Sequence, residues 1–219
     1  MGKIIFSDLP RGSICLSYDA DPDAGWLRRL LLRLTHGSIK QFQRNLYPHG
    51  NTGAIHAQIK VRDGPGAHWF SMTDPVGEKV WFPARPYERC RIYKWDFSDQ
   101  FSEQQWLVLR TYCERLVGVP YDYAQLVAIA INGSFGWTPK LDLFKGRTVC
   151  SCAVMGALYA AWRLFPPGPE AQPFAGRCYP KPNTRTHNNS FMHIEHVPPA
   201  FFDGNEGNYQ KVAEQGFGA

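Results

Sequence analysis

The 219-residue chain has no long hydrophobic run, since its longest apolar stretches fall short of the roughly 20 residues that span a bilayer. Its first residues, from Met1 to Asp8, also lack the apolar core of a secretory signal peptide. The sequence therefore predicts a chain made in the cytoplasm without a signal peptide. It leaves export through a non-classical secretion system open.

Charge and cysteine spacing argue against two further classes of function. The net charge of +5 comes without a Lys/Arg-rich tract or a nucleic-acid motif, so nucleic acid is not expected as a partner. A modest positive charge still favours approach to an anionic surface such as a membrane or a cell wall. The six cysteines include no C-x-x-C pair and no disulfide framework, which fits a reducing compartment and argues against structural zinc.

Histidines near the C-terminus are further candidates for a metal site. His187, His193 and His196 lie close in sequence, but no carboxylate or cysteine spacing accompanies them. We therefore predict neither a bound metal nor an organic cofactor.

The amino-acid composition of the chain favours a mixed α and β fold. Aromatic residues make up 14% of the chain, and 17 prolines and 20 glycines indicate many turns. The length suits one domain with an addition at one end. We place the domain at residues 1–165 and a Pro/Gly/Asn-rich extension, partly ordered and with a flexible end, at residues 166–219.

Hydrophobic periodicity predicts the order of the elements. Short or alternating apolar runs predict strands at 13–18, 52–62, 68–73, 79–82, 91–95 and 191–197. Period-3.6 patterns and capping residues predict helices at 26–34, 102–117, 120–131 and 150–165. The helix at 26–34 is basic and amphipathic, which suits either a membrane surface or packing over the core.

Cys150 opens the last of these helices, in the tripeptide Val149-Cys150-Ser151. Free N–H groups and the helix dipole lower the pKa of a thiol in a first helical turn, and Arg147 adds a nearby positive charge. Such a thiolate is a nucleophile when a histidine stands beside it. The alternative is a small buried core residue, which is the usual role of a free cysteine.

A cysteine nucleophile needs a base within hydrogen-bond reach and a third group that orients the base. His56 is the best-placed histidine, because it lies in an alternating strand whose backbone holds the ring. His68 follows on the next strand, across the Gly-Pro-Gly hairpin at 64–66. We take His56 as the base and His68 as its orienting group, with Ser71 as a weaker candidate. The alternatives are a structural His56 and an exposed His68 at a strand end.

The order of these motifs resembles the NlpC-type papain-like superfamily. It runs from Ser-Ile-Cys-Leu at 13–16 through Ile-His-Ala-Gln-Ile at 55–59 and Gly-Val-Pro-Tyr-Asp-Tyr at 118–123 to Val-Cys-Ser at 149–151. With the histidine strand ahead of the cysteine helix, it is similar to the circularly permuted branch, which includes bacterial relatives of lecithin:retinol acyltransferases. The resemblance implies an α+β papain-like catalytic domain, a small antiparallel sheet packed against the helix that carries the cysteine.

The resemblance also implies roles for single residues. Cys150 matches the nucleophile, His56 the base, and His68 the polar residue on the following strand. Tyr121 in the Pro-Tyr-Asp motif is expected close to the cysteine, where it helps to position the thiol or the oxyanion.

Two departures from the pattern of that family leave the identity of the third catalytic residue undecided. This chain has Cys152 where permuted members often carry a glutamate, and Trp-Phe-Ser at 69–71 where they tend to have an acidic residue. The assignment of Cys150 and His56 does not depend on either position.

The implied reaction is acyl transfer through a thioester, without a cofactor. Permuted relatives include enzymes that act on lipid acyl groups, and unpermuted ones mostly cut cell-wall peptide amides. An acyl lipid such as a phospholipid is therefore favoured as substrate, and a peptidoglycan amidase or endopeptidase is the alternative. A catalytically silent papain-like binding module is a further alternative for the function. The missing signal peptide suggests a phage product or a bacterial toxin, an effector that would be paired with an inhibitory immunity protein.

Overall fold

A computed structural model describes residues 4–18, 37, 40, 43–44, 53–64, 66–72, 76–80, 89–125, 148–164, 199, 201–204 and 209–217. The strands in it are β1 (Ile14–Ser17), β2 (His56–Arg62), β3 (His68–Met72), β4 (Gly77–Val80), β5 (Cys90–Trp95) and β6 (Tyr209–Gln215). The helices are α1 (Glu103–Arg115), α2 (Cys150–Leu164) and the single turn α3 (Phe201–Gly204), and a 3-10 helix (Asp96–Gln100) precedes α1.

The strands form one antiparallel sheet in the order β4-β3-β2-β1-β5-β6. β2 lies inside the sheet, with β1 on one side and β3 on the other. Helices α1 and α2 pack against each other, and α2 lies against β2 and β3. The predicted α+β class, an antiparallel sheet packed against the helix that begins at Cys150, is confirmed.

Residue alternation decides which face of the sheet each side chain of β2 occupies. The odd-numbered residues, from Ala57 to Val61, lie in the main hydrophobic core with α1 and α2. The even-numbered residues, from His56 to Lys60, therefore point to the opposite face, which we call the second face. In β3, Phe70 belongs to the main core, so Ser71 shares the second face with His56.

The N-terminal segment covers part of the second face. Its apolar residues pack against a small core made of Cys15, Trp69, Cys90 and Ile92. Lys60 is only 1% exposed, and its Nζ donates to the carbonyls of Ser7 and Leu9 and pairs with Asp63 at 3.0 Å. A buried charge is tolerated only when it is paired in this way, so Lys60 fastens the segment to the sheet.

The two long helices begin and pack as their sequences dictate. Ser102 caps α1 in a reciprocal capping box with Gln105, and the predicted start at Ser102 is confirmed. α2 is buried from Cys150 to Leu158. Gly156 lets the two helices approach closely, because a Cβ atom there would overlap the Tyr112 hydroxyl of α1.

The prediction of a flexible chain end is wrong. β6 pairs with β5 along its length and forms one edge of the sheet. Phe201, Phe202 and Tyr209 lie in the main core with α2. A boundary at residue 165 therefore separates β6 from the sheet that it completes. The strand escaped sequence analysis because its residues are mostly polar, as is typical of an exposed edge.

A partly buried ion-pair network links α3 and β6 to the rest of the sheet. Asp203 accepts hydrogen bonds from the hydroxyls of Tyr18, at 2.7 Å, and Tyr93, and it pairs with Arg91 at 3.1 Å. Arg91 also pairs with Glu214 of β6 at 3.1 Å. Because these groups are partly shielded from water, their shared hydrogen bonds tie α3 and β6 to Tyr18 and to β5.

Some predicted segments lie outside the described residues, namely those at 26–34, 126–131 and 191–197 together with His187, His193 and His196. The helix predicted from residue 120 begins at residue 123, because residue 121 is extended and bridged to Thr148. Within the described parts of the chain, no helix is long and apolar enough to cross a membrane.

Deleting residues 205–219 is expected to abolish cooperative folding. The deletion removes β6, exposes the backbone edge of β5 and takes the Tyr209 ring from the core, a loss of about 3 kcal/mol for that ring alone. Thermal unfolding followed by circular dichroism measures the effect. Deletion of residues 218–219, which lie beyond β6, is the control. A sharp transition at the wild-type Tm in the longer deletion would contradict the role given to β6.

Candidate active site

Cys150 is the first residue of α2 and is 3% exposed. Its sulfur receives hydrogen bonds from the backbone N–H groups of Ala57 and Ser151, from the Tyr121 hydroxyl and from the Ser151 side chain. The Ala57 N–H belongs to the peptide group that joins Ala57 to His56. The structure thus brings Cys150 together with Tyr121 and with the backbone amide that follows His56, positions that lie in three separate sequence motifs.

The Ala57 amide lies where the pairing of β2 with β3 ends. The N–H of Lys60 donates to Ser13 on the β1 side at 2.8 Å, so alternation turns the N–H of Ala57 towards β3. The last residue pair of the two strands at this end is Gln58 with Ser71. The next amide of β2 beyond that pair, the N–H of Ala57, donates to the sulfur of Cys150 at the start of α2.

His56 is the first residue of β2 and is partly buried. Its Nε2 lies 3.0 Å from the Oγ of Ser71 on β3, a fully buried residue. This contact gives Nε2 a hydrogen-bond partner and restricts the rotation of the ring. Ser71, the weaker candidate in the sequence, is thus a residue whose side chain contacts the His56 ring.

The structure does not place His68 beside His56. His68 pairs with Arg62 at the hairpin end of β2, six residues and about 20 Å along the strand from His56. It is buried, not exposed, and its Nδ1 lies 3.0 Å from the carbonyl of Gly66. The prediction that His68 orients His56 is therefore wrong.

Backbone bridges hold Tyr121 against the thiol. Pro120 bridges the residue that precedes β4, and Tyr121 bridges Thr148, two residues before Cys150. The N–H of Asp122 donates to the carbonyl of Thr148 at 3.2 Å. The Pro-Tyr-Asp motif is thus tied on one side to the sheet and on the other to the start of α2.

Burial raises the pKa of the Cys150 thiol above its ordinary value, and hydrogen bonds from Ala57, Ser151 and Tyr121 lower it by less. The predicted lowering of this pKa is wrong, because removal of the thiolate from water outweighs the donors around it. Arg147 lies outside the described residues. Burial, followed by the nearby thiols, raises the pKa of Tyr121 well above its usual range, so its hydroxyl stays a donor at neutral pH.

Gln125 is a member of the site that sequence reasoning missed. Its Nε2 lies 3.7 Å from the Sγ of Cys152, and its N–H donates to the Oδ1 of Asp122 at 2.9 Å. These bonds link the Pro-Tyr-Asp motif to the first turn of α2 a second time. The signal was the spacing Asp-x-x-Gln, in which an aspartate caps a helical turn and sets the glutamine one turn later.

The described residues contain no group of three or more His, Cys, Asp or Glu side chains that could hold a metal ion. Free thiols in this part of the chain are Cys15, Cys90, Cys113, Cys150 and Cys152. The donors around Cys150 are suited to attack by its sulfur on an electrophilic carbon.

No protein-family model matches the chain, and no curated protein matches it. Among solved structures, the crystal structure of metalloprotein yiiX from Escherichia coli O157:H7 is similar, with a TM-score of 0.39 and 13% sequence identity. The match covers 94% of this chain and 97% of that one. A likeness of this size carries no inference about the fold family or the chemistry.

Replacing Tyr121 with Phe is expected to slow the alkylation of Cys150 by iodoacetamide. The thiolate loses a donor worth about 1.5–3 kcal/mol, so its pKa rises further and the rate at pH 8 falls by about tenfold or more. In the wild type the rate should climb steadily above pH 7 with no plateau at acidic pH, because a raised pKa delays ionisation. Mass spectrometry of the Cys150 peptide between pH 6 and pH 10 measures both effects.

Tyr123→Phe is the matched control, since that ring lies two residues away and is 50% exposed. It should leave the pH profile of alkylation unchanged. Equal profiles for the wild type and Tyr121→Phe would show that the Tyr121 hydroxyl does not stabilise the thiolate.

Proposed function

We propose that the chain is a cysteine hydrolase of the NlpC-type papain-like superfamily, in its circularly permuted branch, which cleaves an acyl ester through a thioester on Cys150. The observation that carries the proposal is a sulfur held by the Tyr121 hydroxyl and by the Ala57 amide, one residue along β2 from a histidine whose ring contacts Ser71. A cysteine that only fills a core needs no such donors, and a silent binding module needs no oriented imidazole.

In the first step, the sulfur of Cys150 attacks the carbonyl carbon while His56 takes the thiol proton. Because burial keeps the thiol protonated at neutral pH, proton transfer accompanies the attack. The contact of Ser71 with Nε2 holds the imidazole in place while the ring takes the proton. The imidazolium then protonates the departing alcohol, and the acyl group remains on sulfur.

The developing oxyanion requires donors close to the sulfur. The N–H of Ser151, in the first turn of α2, and the hydroxyl of Tyr121 already point at the sulfur in the resting site. The raised pKa of Tyr121 keeps its proton in place for this task. Water then hydrolyses the thioester, which releases a carboxylic acid and restores the thiol.

A phospholipid or another acyl lipid is the proposed substrate, reached by contact with a membrane surface. The basic amphipathic segment at 26–34 and the net charge of +5 favour an anionic bilayer. An enzyme of this kind fits a bacterial toxin exported by a non-classical route. Its producer would need an inhibitory immunity protein as a partner.

Two parallel incubations test the substrate. Phospholipid vesicles with anionic headgroups should yield free fatty acid and lysolipid, and purified peptidoglycan should yield no new peptide ends, both followed by mass spectrometry. Cys150→Ala should release no product, because it removes the nucleophile. Cys113→Ala, the same change at a buried cysteine of α1, should keep the wild-type products.

Each other outcome replaces the proposal. New peptide ends without lysolipid would make the chain a peptidoglycan amidase or endopeptidase. No product from either substrate, with the wild type identical to Cys150→Ala, would leave a papain-like binding module.

Ser71→Ala should lower kcat by about tenfold, the value of one hydrogen bond of about 1.4 kcal/mol, because His56 loses its orienting partner. His68→Gln should keep kcat within about twofold, since His68 lies at the far end of β2. Ester hydrolysis kinetics measure kcat, and thermal unfolding verifies that both variants fold. A greater loss in His68→Gln would return the orienting role to His68.

A further inference from the structure

Polar side chains surround His56 on the second face of the sheet. Ser17 of β1 lies directly opposite His56, and Gln58, the next residue of β2 on this face, lies opposite Ser71 of β3. Ser17, Gln58 and Ser71 are each at most 1% exposed, while His56 is less buried. The imidazole therefore has one buried serine on the β3 side and another on the β1 side.

The two serine hydroxyls differ in their hydrogen bonding. The Oγ of Ser71 has Nε2 of His56 at 3.0 Å, whereas the Oγ of Ser17 is buried without a hydrogen-bond partner in the described structure. A buried hydroxyl of this kind destabilises a folded protein, so packing alone would favour alanine at position 17. Ser17 therefore has hydrogen-bonding capacity available beside His56.

The spacing between Ser17 and His56 suits one bridging water. Facing Cβ atoms of an antiparallel pair lie about 4.5–5.5 Å apart. A water that bonds to both side chains spans two hydrogen bonds of about 2.8 Å each. Such a water would satisfy the Ser17 hydroxyl and would lie against the imidazole.

We infer that Ser17 is a positioning residue that holds the hydrolytic water against His56 in the second half of the reaction, an inference that rests on the proposed function. The water oxygen forms a bond to the thioester carbonyl carbon while one of its protons passes to the imidazole. The carbon–sulfur bond then breaks, and the imidazolium returns the proton to the sulfur of Cys150. The products are a carboxylic acid and the free thiol, with no change of oxidation state.

Hydrolysis of p-nitrophenyl butyrate separates the two halves of the reaction. Acylation of Cys150 releases a burst of p-nitrophenolate, and the later steady rate reports attack by water on the thioester. In Ser17→Ala the burst rate should stay within about twofold of wild type, while the steady rate falls by about tenfold. Intact-mass spectrometry should show the butyryl thioester accumulating. Hydroxylamine, which replaces water as the attacking group, should restore turnover.

Ser98→Ala is the matched control. Ser98 lies in the 3-10 helix and also has a buried hydroxyl without a partner in the described structure. The variant removes the same atom away from His56, so both phases should match wild type. Both variants should fold with a Tm close to that of the wild type, because neither breaks a hydrogen bond between two protein groups.

The burst experiment distinguishes failure of the role of Ser17 from failure of the proposed function. An unchanged steady rate in Ser17→Ala, or a burst slowed as much as the steady rate, would overturn the role of Ser17 and leave the Cys150 thioester in place. A wild type without a burst, or a burst that persists in Cys150→Ala, would overturn the proposed function and the role of Ser17 with it.

A crystal structure of the resting protein gives a readout independent of activity. We expect an ordered water within about 3.2 Å of the Ser17 Oγ and within reach of the His56 ring. The same water should be absent from Ser17→Ala. A dry Ser17 hydroxyl in a well-ordered map would contradict the inference.

Discussion

The hydrogen bond from the Ala57 amide to the Cys150 sulfur is the contact on which the site depends. It joins the start of β2 to the start of α2, two elements from distant parts of the chain. Both elements are rigid over several residues, so one contact at their ends fixes the position of the sulfur relative to the start of β2, where His56 lies. The close approach of α1 and α2 at Gly156 and the bridge between Tyr121 and Thr148 keep α2 where this contact needs it.

Burial has two opposing effects on that contact. It raises the pKa of Cys150 by disfavouring the thiolate, and it strengthens every donor around the sulfur by excluding water. A thiol that is neutral at rest resists oxidation, since the thiolate is the form that oxidants attack. In the proposed reaction, His56 takes the proton from the thiol as the carbon–sulfur bond forms. The position of Cys150 at the start of a helix correctly predicted an N–H donor to its sulfur, that of Ser151. That position carries no information about burial, and burial decides that the pKa of Cys150 is raised.

The spacing of residues around the hairpin was sufficient to choose between His68 and Ser71 as the residue that contacts His56. Hydrophobic alternation predicted the central strands because it reports burial of one face, and the polar edge strand β6 lacked that signal. Residues of a hairpin face each other when they are equally far from the turn. With the turn at residues 64–66, the position facing His56 lies near residue 73, so Ser71 is within reach and His68 is not. Strand register, more than residue type, therefore decides between Ser71 and His68. The contacts of β6 and of Gln125 join segments that are distant in sequence, so no local pattern predicts them.

The position of the site at the end of β2 follows from the two faces of the sheet. Cys150 arrives with α2 on one face, whereas alternation sets His56 and Ser71 on the other. Side chains on opposite faces cannot meet through a continuous sheet, but they can meet where a strand begins and the neighbouring pair ends. His56 is the first residue of β2, and Ala57, whose amide reaches the sulfur, is the first beyond the paired stretch with β3. The proposed roles, a nucleophile carried by α2 and a base carried by β2, are therefore compatible with the sheet only at the end of the strand.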